Sequence, residues 1–191
     1  SGAILDMVVY HNELKNLQII KDFKWSYLSQ NVYSDIVRNN VALLMVELII
    51  KTIKQPETNA TLFYFIEENL ILLDKAPPSA VANLPLYFAL HFAKHLGFGI
   101  KENVTTGSYV LDIQEGIFTQ TIPTHGLYID EKLSAITMQL LQLENPSKLY
   151  EIQLNQSIRR QLLTAYEQFY ICHINLFKGL KTLPVLATLL G

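Results

Sequence analysis

The sequence predicts a mainly α fold: a helical body with a small β-hairpin insertion, preceded by a separate β-hairpin. Three observations carry this. From about residue 34 onward, apolar residues recur at helical spacing between Pro and Gly breakers. Residues 3–25 are instead rich in Val, Ile and Tyr and alternate like strands. Tyr109–Ile113 and Ile117–Thr121 alternate around Gln114-Glu115-Gly116, a short hairpin signal within the helical stretch. A length of 191 residues, half of them apolar, suits one domain or one domain with a small extra piece.

Ala3–Tyr10 and Leu17–Trp25 read as two strands joined by the polar turn His11–Asn16. Ile4, Val8 and Tyr10 alternate with Leu5, Met7 and Val9, and Leu17, Ile19, Phe23 and Trp25 share one face of the second strand. Both faces are therefore apolar in part. A lone hairpin is marginal in water, so either the helical body covers it or it forms the last strands of a larger barrel. The second reading is preferred, with the domain boundary near Trp25.

Ser34 is expected to cap a helix reaching about Lys54, apolar nearly all round over Ala42–Ile50 and ended by Gln55-Pro56. A second helix is expected over 57–74. A third is expected over 79–96 and is stopped by Gly97; Pro85 inside it implies a start near Asn83 or a kink. Asp130 is placed to cap a helix to about Leu143. Asn145-Pro146 opens a short helical piece, Asn155 caps a long helix over 156–177, and a last short helix covers 182–190.

Composition narrows the function. The charged share of 17% lies below the usual value of about 25%, which excludes a disordered tail. Cys172 is the only cysteine, so a disulfide framework and a cysteine-built zinc site are excluded. A net charge of -2 gives no global reason for nucleic-acid binding, which would need a local patch. The longest apolar run, Val41–Ile50, is interrupted by Glu47 and is far short of the roughly 18 residues a spanning helix needs. With no signal-peptide pattern, a cytoplasmic location is expected.

Few residues suggest chemistry. Glu47 is either a shielded carboxylate or, more economically, the partner of Lys51 at i,i+4. His91 and His95 share a helix face, as metal ligands would, but Phe92 stands where a His-Glu-x-x-His motif needs glutamate. Cys172 and His173 are adjacent, which on a helix splays them apart, so a buried structural cysteine is expected. No Gly-x-Ser-x-Gly surrounds Ser108, and Gly97-Phe98-Gly99 is too short for a phosphate loop. Lys15, Lys21 and Lys24 beside Phe23 and Trp25 could track a phosphate backbone while bases stack, or could simply protect a strand edge. Arg159-Arg160 open a helix whose dipole they oppose, which suggests a carboxylate or phosphate partner, with Lys178 and Lys181 as possible extensions. The pattern suits a binding module better than an enzyme, and no cofactor or metal is expected.

Leu5–Trp25 (LDMVVYHNELKNLQIIKDFKW), Val41–Lys51 (VALLMVELIIK), His95–Gly99 (HLGFG), Asp112–Phe118 (DIQEGIF) and the leucine-rich tail Phe177–Gly191 follow one another in an order that resembles the RecO recombination mediators of Bacteroides-type bacteria. The resemblance implies that residues 3–25 are the closing strands of a truncated OB-fold and 26–191 the family's helical C-terminal domain. It implies a protein of DNA repair and homologous recombination. Such a protein binds single-stranded DNA and the acidic tail of single-stranded DNA-binding protein, anneals strands and, with RecR, aids RecA loading. Nucleic-acid contacts would fall to Lys15, Lys21, Lys24 and Trp25. The tail would meet Phe88, His91 and Lys94, with Arg159 and Arg160 as second choice. Some members carry a four-cysteine zinc site where this chain has Lys101–Ser108 (KENVTTGS), so zinc is not expected. The competing readings are a helical interaction scaffold unrelated to DNA, and an enzyme using Glu47 or the two histidines.

Overall fold

The computed structural model describes residues 2–15, 17–54, 58–103 and 107–189. Strands β1 (Ile4–Tyr10) and β2 (Ile19–Tyr27) form the N-terminal hairpin, with Leu5 opposite Trp25 and Met7 opposite Phe23. The register slips between Val8 and Val9, so Lys21 stands at a bulge. Only Ile4 of β1 is buried, and Met7, Tyr10, Ile19, Phe23 and Trp25 are all exposed. The helical body thus leaves both faces of the hairpin open, as the two-sided apolar pattern anticipates.

The chain after β2 is tied down by one carboxylate. Helix α1 (Ile36–Thr52) is capped by Asp35, not by the expected Ser34, whose hydroxyl turns back to the Asn31 carbonyl. Helix α2 (Ala60–Lys75) follows, capped by Asn59; the expected stop at Gln55-Pro56 and start at Glu57 lie outside the described residues. Near its end, Asp74 accepts from the Tyr27 hydroxyl (2.8 Å) and from the backbone N–H groups of Gln30 (3.1 Å), Asn31 (2.7 Å) and Val32 (3.0 Å). Arg38 of α1 donates to the carbonyls of Leu73, Asp74 and Ala76, closing the orphaned end of α2. Linker, α1 and α2 are thereby one hydrogen-bonded unit.

Helix α3 (Pro78–His95) is buried on every side, with Leu84, Leu86, Phe88 and Phe92 fully inaccessible. It starts at Pro78, close to the expected residue 79, and runs through Pro85, so of the two ways to accommodate that proline the later start near Asn83 is not taken. Proline at the first turn has no orphan N–H to satisfy, and burial against α1 and α2 offsets the cost of Pro85. Gly97, at φ +88°, lets the Phe98 N–H return to the Ala93 carbonyl at 3.1 Å. At Gly99 a Cβ would lie 2.8 Å from the Lys94 backbone, so no side chain fits.

The insertion is a three-stranded sheet ordered β4-β3-β5: β3 (Val110–Asp112), β4 (Ile117–Thr119) and an unforeseen β5 (Tyr128–Ile129). Asp130 caps α4 (Glu131–Leu141). A 3-10 helix (Pro146–Glu151) is held to α3 by the Asn83 amide, which donates to the carbonyls of Leu149 and Ile152. Asn155 caps α5 (Gln156–His173), which ends before the expected residue 177 in a turn where Leu176 takes φ +66°. The closing helix is α6 (Leu183–Leu189). Helices α1, α2, α4 and α5 and the 3-10 helix all pack against α3, and the Tyr170 hydroxyl reaches its Ala89 carbonyl at 2.7 Å.

Removing the Asp74 carboxylate strands three backbone donors and a hydroxyl. Asp74→Ala is expected to lower stability by about 3 kcal/mol and Tyr27→Phe by about 1 kcal/mol, measured by urea denaturation.

Candidate functional site

A concavity lies where three helix ends meet: the C-termini of α1 and α3 and the N-terminus of α2. Its volume is about 480 Å³. Ile53, Leu62, Phe63, Ile66 and Leu96 supply an apolar wall. Thr52 and Asn59 add hydroxyl and amide groups, and Lys54 and His95 are its ionisable groups among the described residues. The local sequence explains this chemistry. Cations gather at helix C-termini because the dipole favours them there, and Lys54 and His95 sit at such ends. Phe63 is 55% exposed, an unusual placement for a large aromatic unless something covers it. No carboxylate lines the cleft among the described residues, so its electrostatic preference is for an anion with an apolar part.

The residues singled out from the sequence separate in space. Phe88 has 0% exposure and stacks between Phe65 and Phe92 at 5.4 and 5.1 Å, so it offers a partner no surface. The face of α3 it occupies is core, because α3 has no solvent face there. His91 stacks on Tyr87 at 4.1 Å and bonds the Leu140 carbonyl through Nε2 at 3.0 Å. Burial lowers its pKa despite that bond. Lys94 is exposed, and only its neighbour His95 lines the cleft. His91 and His95 turn to different partners, Leu140 and Phe65, and no metal-ligating cluster of three groups occurs among the described residues.

Arg159 and Arg160 diverge. Arg159 donates to the Leu154 carbonyl and lines a smaller hollow of about 180 Å³ beside Asp35, Arg38 and Leu189. Arg160 is exposed on another side, beside Tyr128 and Leu133. They do not form one clamp. On the hairpin, Lys24 pairs with Asp6 at 3.4 Å, Lys21 lies 5.8 Å from the Tyr10 ring centre, and Lys15 is exposed in the turn. Asp6, Glu13 and Asp22 balance the three lysines, so the hairpin carries no basic excess. Trp25 and Phe23 stay exposed, with Leu5 and Met7 as their cross-strand partners. Cys172 is exposed, not buried as expected; it occupies the outer side of α5, while Phe169 and Tyr170 take the core side. Its neighbour His173 is drawn back onto the Phe169 carbonyl and ring. Of Lys101–Ser108, residues 104–106 lie outside the described residues.

Glu47 is a structural clasp. It pairs with Lys51 at 2.7 Å and accepts from the N–H groups of Lys181 (2.8 Å) and Thr182 (2.9 Å) and from the Thr182 hydroxyl (2.7 Å). The i,i+4 pair foreseen from the sequence is present, and the carboxylate also anchors the chain entering α6. Burial pushes the carboxyl up, but the Lys51 ammonium and the donors of Lys181 and Thr182 outweigh it and hold its pKa at about 2, against an ordinary 4.5. An anion so fully used has no capacity left for acid–base work.

Sequence reasoning missed the contributions of Lys54, Phe63 and Ile66. An exposed aromatic on an otherwise amphipathic α2 was the available signal, but the approach of the three helix ends is a tertiary fact. Among the described residues, no helix is long and apolar enough to cross a membrane.

A family model described as recombination protein O C terminal matches residues 33–184. The DNA repair protein RecO of Azobacteroides pseudotrichonymphae is 23% identical over 184 residues, 96% of this chain and 76% of that protein. Its namesake in Porphyromonas gingivalis is 28% identical over 188 residues, 97% of this chain and 76% of that protein. The Flavobacterium johnsoniae protein of the same name is 27% identical over 184 residues, 96% of this chain and 75% of that protein. No solved structure gives a significant match.

The Glu47 clasp has a pH signature. Because its folded pKa is depressed, its stabilisation is complete above the unfolded value near 4.5 and is lost as pH falls toward 2. Glu47→Gln is expected to lower stability at neutral pH by about 2–3 kcal/mol, and the gap to the parent protein should narrow on acidification, followed by urea denaturation across that range.

Proposed function

The chain belongs to the recombination protein O C-terminal family, and from that premise we infer that its helical body captures the acidic, carboxylate-ended tail of single-stranded DNA-binding protein in the cleft at the end of α3. Its role is in DNA repair, as the names of its relatives state, and in recombination, as the family's description states. The observation that carries the finer reading is the pairing of an uncovered apolar wall, with Phe63 at its centre, and an ionisable rim formed by Lys54 and His95. A peptide ending in an aromatic residue and a free carboxylate needs both: a hydrophobic slot for the ring and a cation for the terminus. Lys94, beside His95, would attract the acidic residues that precede it.

Residues 3–25 would close an OB-fold barrel in this account, and 26–191 would form the helical domain. The open faces of the hairpin support that division. Single-stranded DNA would stack on the face carrying Phe23 and Trp25, with Lys15 and Lys21 nearby and Lys24 the least available because of Asp6. Strand annealing, contact with RecR and help in loading RecA complete the proposed role, which involves no bond-breaking step. The alternative of a helical scaffold unrelated to DNA is weakened by the family membership.

Fluorescence anisotropy with a labelled acidic peptide ending in Pro-Phe tests the cleft. Lys54→Ala and Phe63→Ala are each expected to weaken binding about tenfold, with Arg159→Ala and Arg160→Ala unchanged. Loss of binding in the Arg159 variant alone would move the site to the smaller hollow.

A further inference from the structure

His91, His125 and His173 each engage a ring nitrogen in a hydrogen bond, to the Leu140 carbonyl, the Asp112 carboxylate and the Phe169 carbonyl respectively. His11 is exposed near the hairpin turn. His95 differs from all four: it is partly buried, one face of its ring lies 4.5 Å from the Phe65 ring, and neither ring nitrogen has a hydrogen bond among the described residues. It lines the cleft together with Leu96 and Lys54.

Resting on the reading of this cleft as a carboxylate-tail site, we propose that His95 is the residue that receives the terminal carboxylate, and that it takes up one proton as the anionic peptide binds. The surroundings explain why the proton is absent beforehand. Lys94 stands next to His95 on α3, His91 is one turn earlier, and Lys54, whose Nζ donates to the Asn175 carbonyl at 3.0 Å, lines the same cleft. Helix α2 presents Phe65, Leu62 and Ile66, and no carboxylate lines the cleft among the described residues. Burial first, and then the Lys94 charge, keep the free imidazole below its ordinary pKa. A bound carboxylate reverses the balance by supplying a negative partner that none of the described lining residues provides, and the protonated ring becomes a charge-assisted donor to it.

The sign follows from linkage. A group whose pKa rises on binding makes affinity increase as pH falls, by at most about tenfold per pH unit for a single proton, and the gain levels off once the free imidazole is itself protonated. The peptide carboxylates stay ionised throughout the neutral range and add no slope there.

Isothermal titration of the acidic Pro-Phe peptide into the full chain, at about pH 7 in two buffers of different ionisation enthalpy, counts the protons directly and needs no variant. Uptake approaching one proton per peptide is expected, with binding about five- to tenfold tighter at about pH 6 than at about pH 8. His95→Gln should abolish the uptake and the slope and should narrow the preference for the free-acid over the C-terminally amidated peptide; His91→Gln should retain both uptake and slope. Peptide binding with no proton uptake, or a slope that survives in His95→Gln, would overturn this inference and leave the peptide site standing. Absence of binding at any pH would overturn the peptide site itself, and this inference with it.

Discussion

Helix α3 is the constraint from which the rest of the structure follows. It is apolar around its whole circumference, so it must be surrounded, and α1, α2, α4, α5 and the 3-10 helix do so. Burial of that kind dictates which residues are left for function. Phe88 and Phe92 are spent on the core, and the helix reaches solvent only at its two ends, at Pro78 and Ser79 and again at Lys94 beside Gly97. The cleft exists because three helices end at that point, and its character follows from what helix ends attract: Lys54 and His95 at C-termini, beside the apolar first turns of α2.

The body's non-helical segments are held by buried polar groups. Asp74 gathers the linker that follows the hairpin, Glu47 gathers the chain entering α6, and Asn83 holds the 3-10 helix. Each is a side chain on one helix satisfying backbone groups of a segment far away in sequence, which solves the problem of burying irregular chain. The two carboxylates share a logic. Burial alone would raise their pKa values, and the donors aimed at them lower them below the ordinary carboxylate range. They are anions kept for architecture, and the most suggestive acid of the sequence, Glu47, serves as a clasp.

Much of the fold was legible because it rests on local signals. The caps at Asp130 and Asn155, the stop at Gly97 and the turn at Gly116 were readable as residue types at defined positions. The cap shifted from Ser34 to Asp35 because both residues can serve and the linker's bond to Asn31 claimed the serine. The unbroken passage of α3 through Pro85 and the short α5 were less legible. The first depends on burial offsetting Pro85, the second on a turn that puts Leu176 at a positive φ. The site was the least legible. Periodicity tells that a residue lies on a helix, but not which face meets which neighbour, so the resemblance offers Phe88 for a surface it does not reach, and the sequence assigns Cys172 to a core it does not enter. His95 was read with His91 as a pair, whereas the two rings serve different neighbours.

The account stands or falls on whether the cleft at the end of α3 is the surface a carboxylate-ended acidic peptide occupies. Amide and methyl NMR shift mapping of the isotope-labelled chain, with that peptide added, addresses this most directly. The largest perturbations should cluster on Ile53, Lys54, Leu62, Phe63, Ile66 and Leu96, with the His95 ring signals moving in step. Shifts concentrated instead around Arg159, Val37 and Leu189, with the cleft residues unmoved, would contradict it.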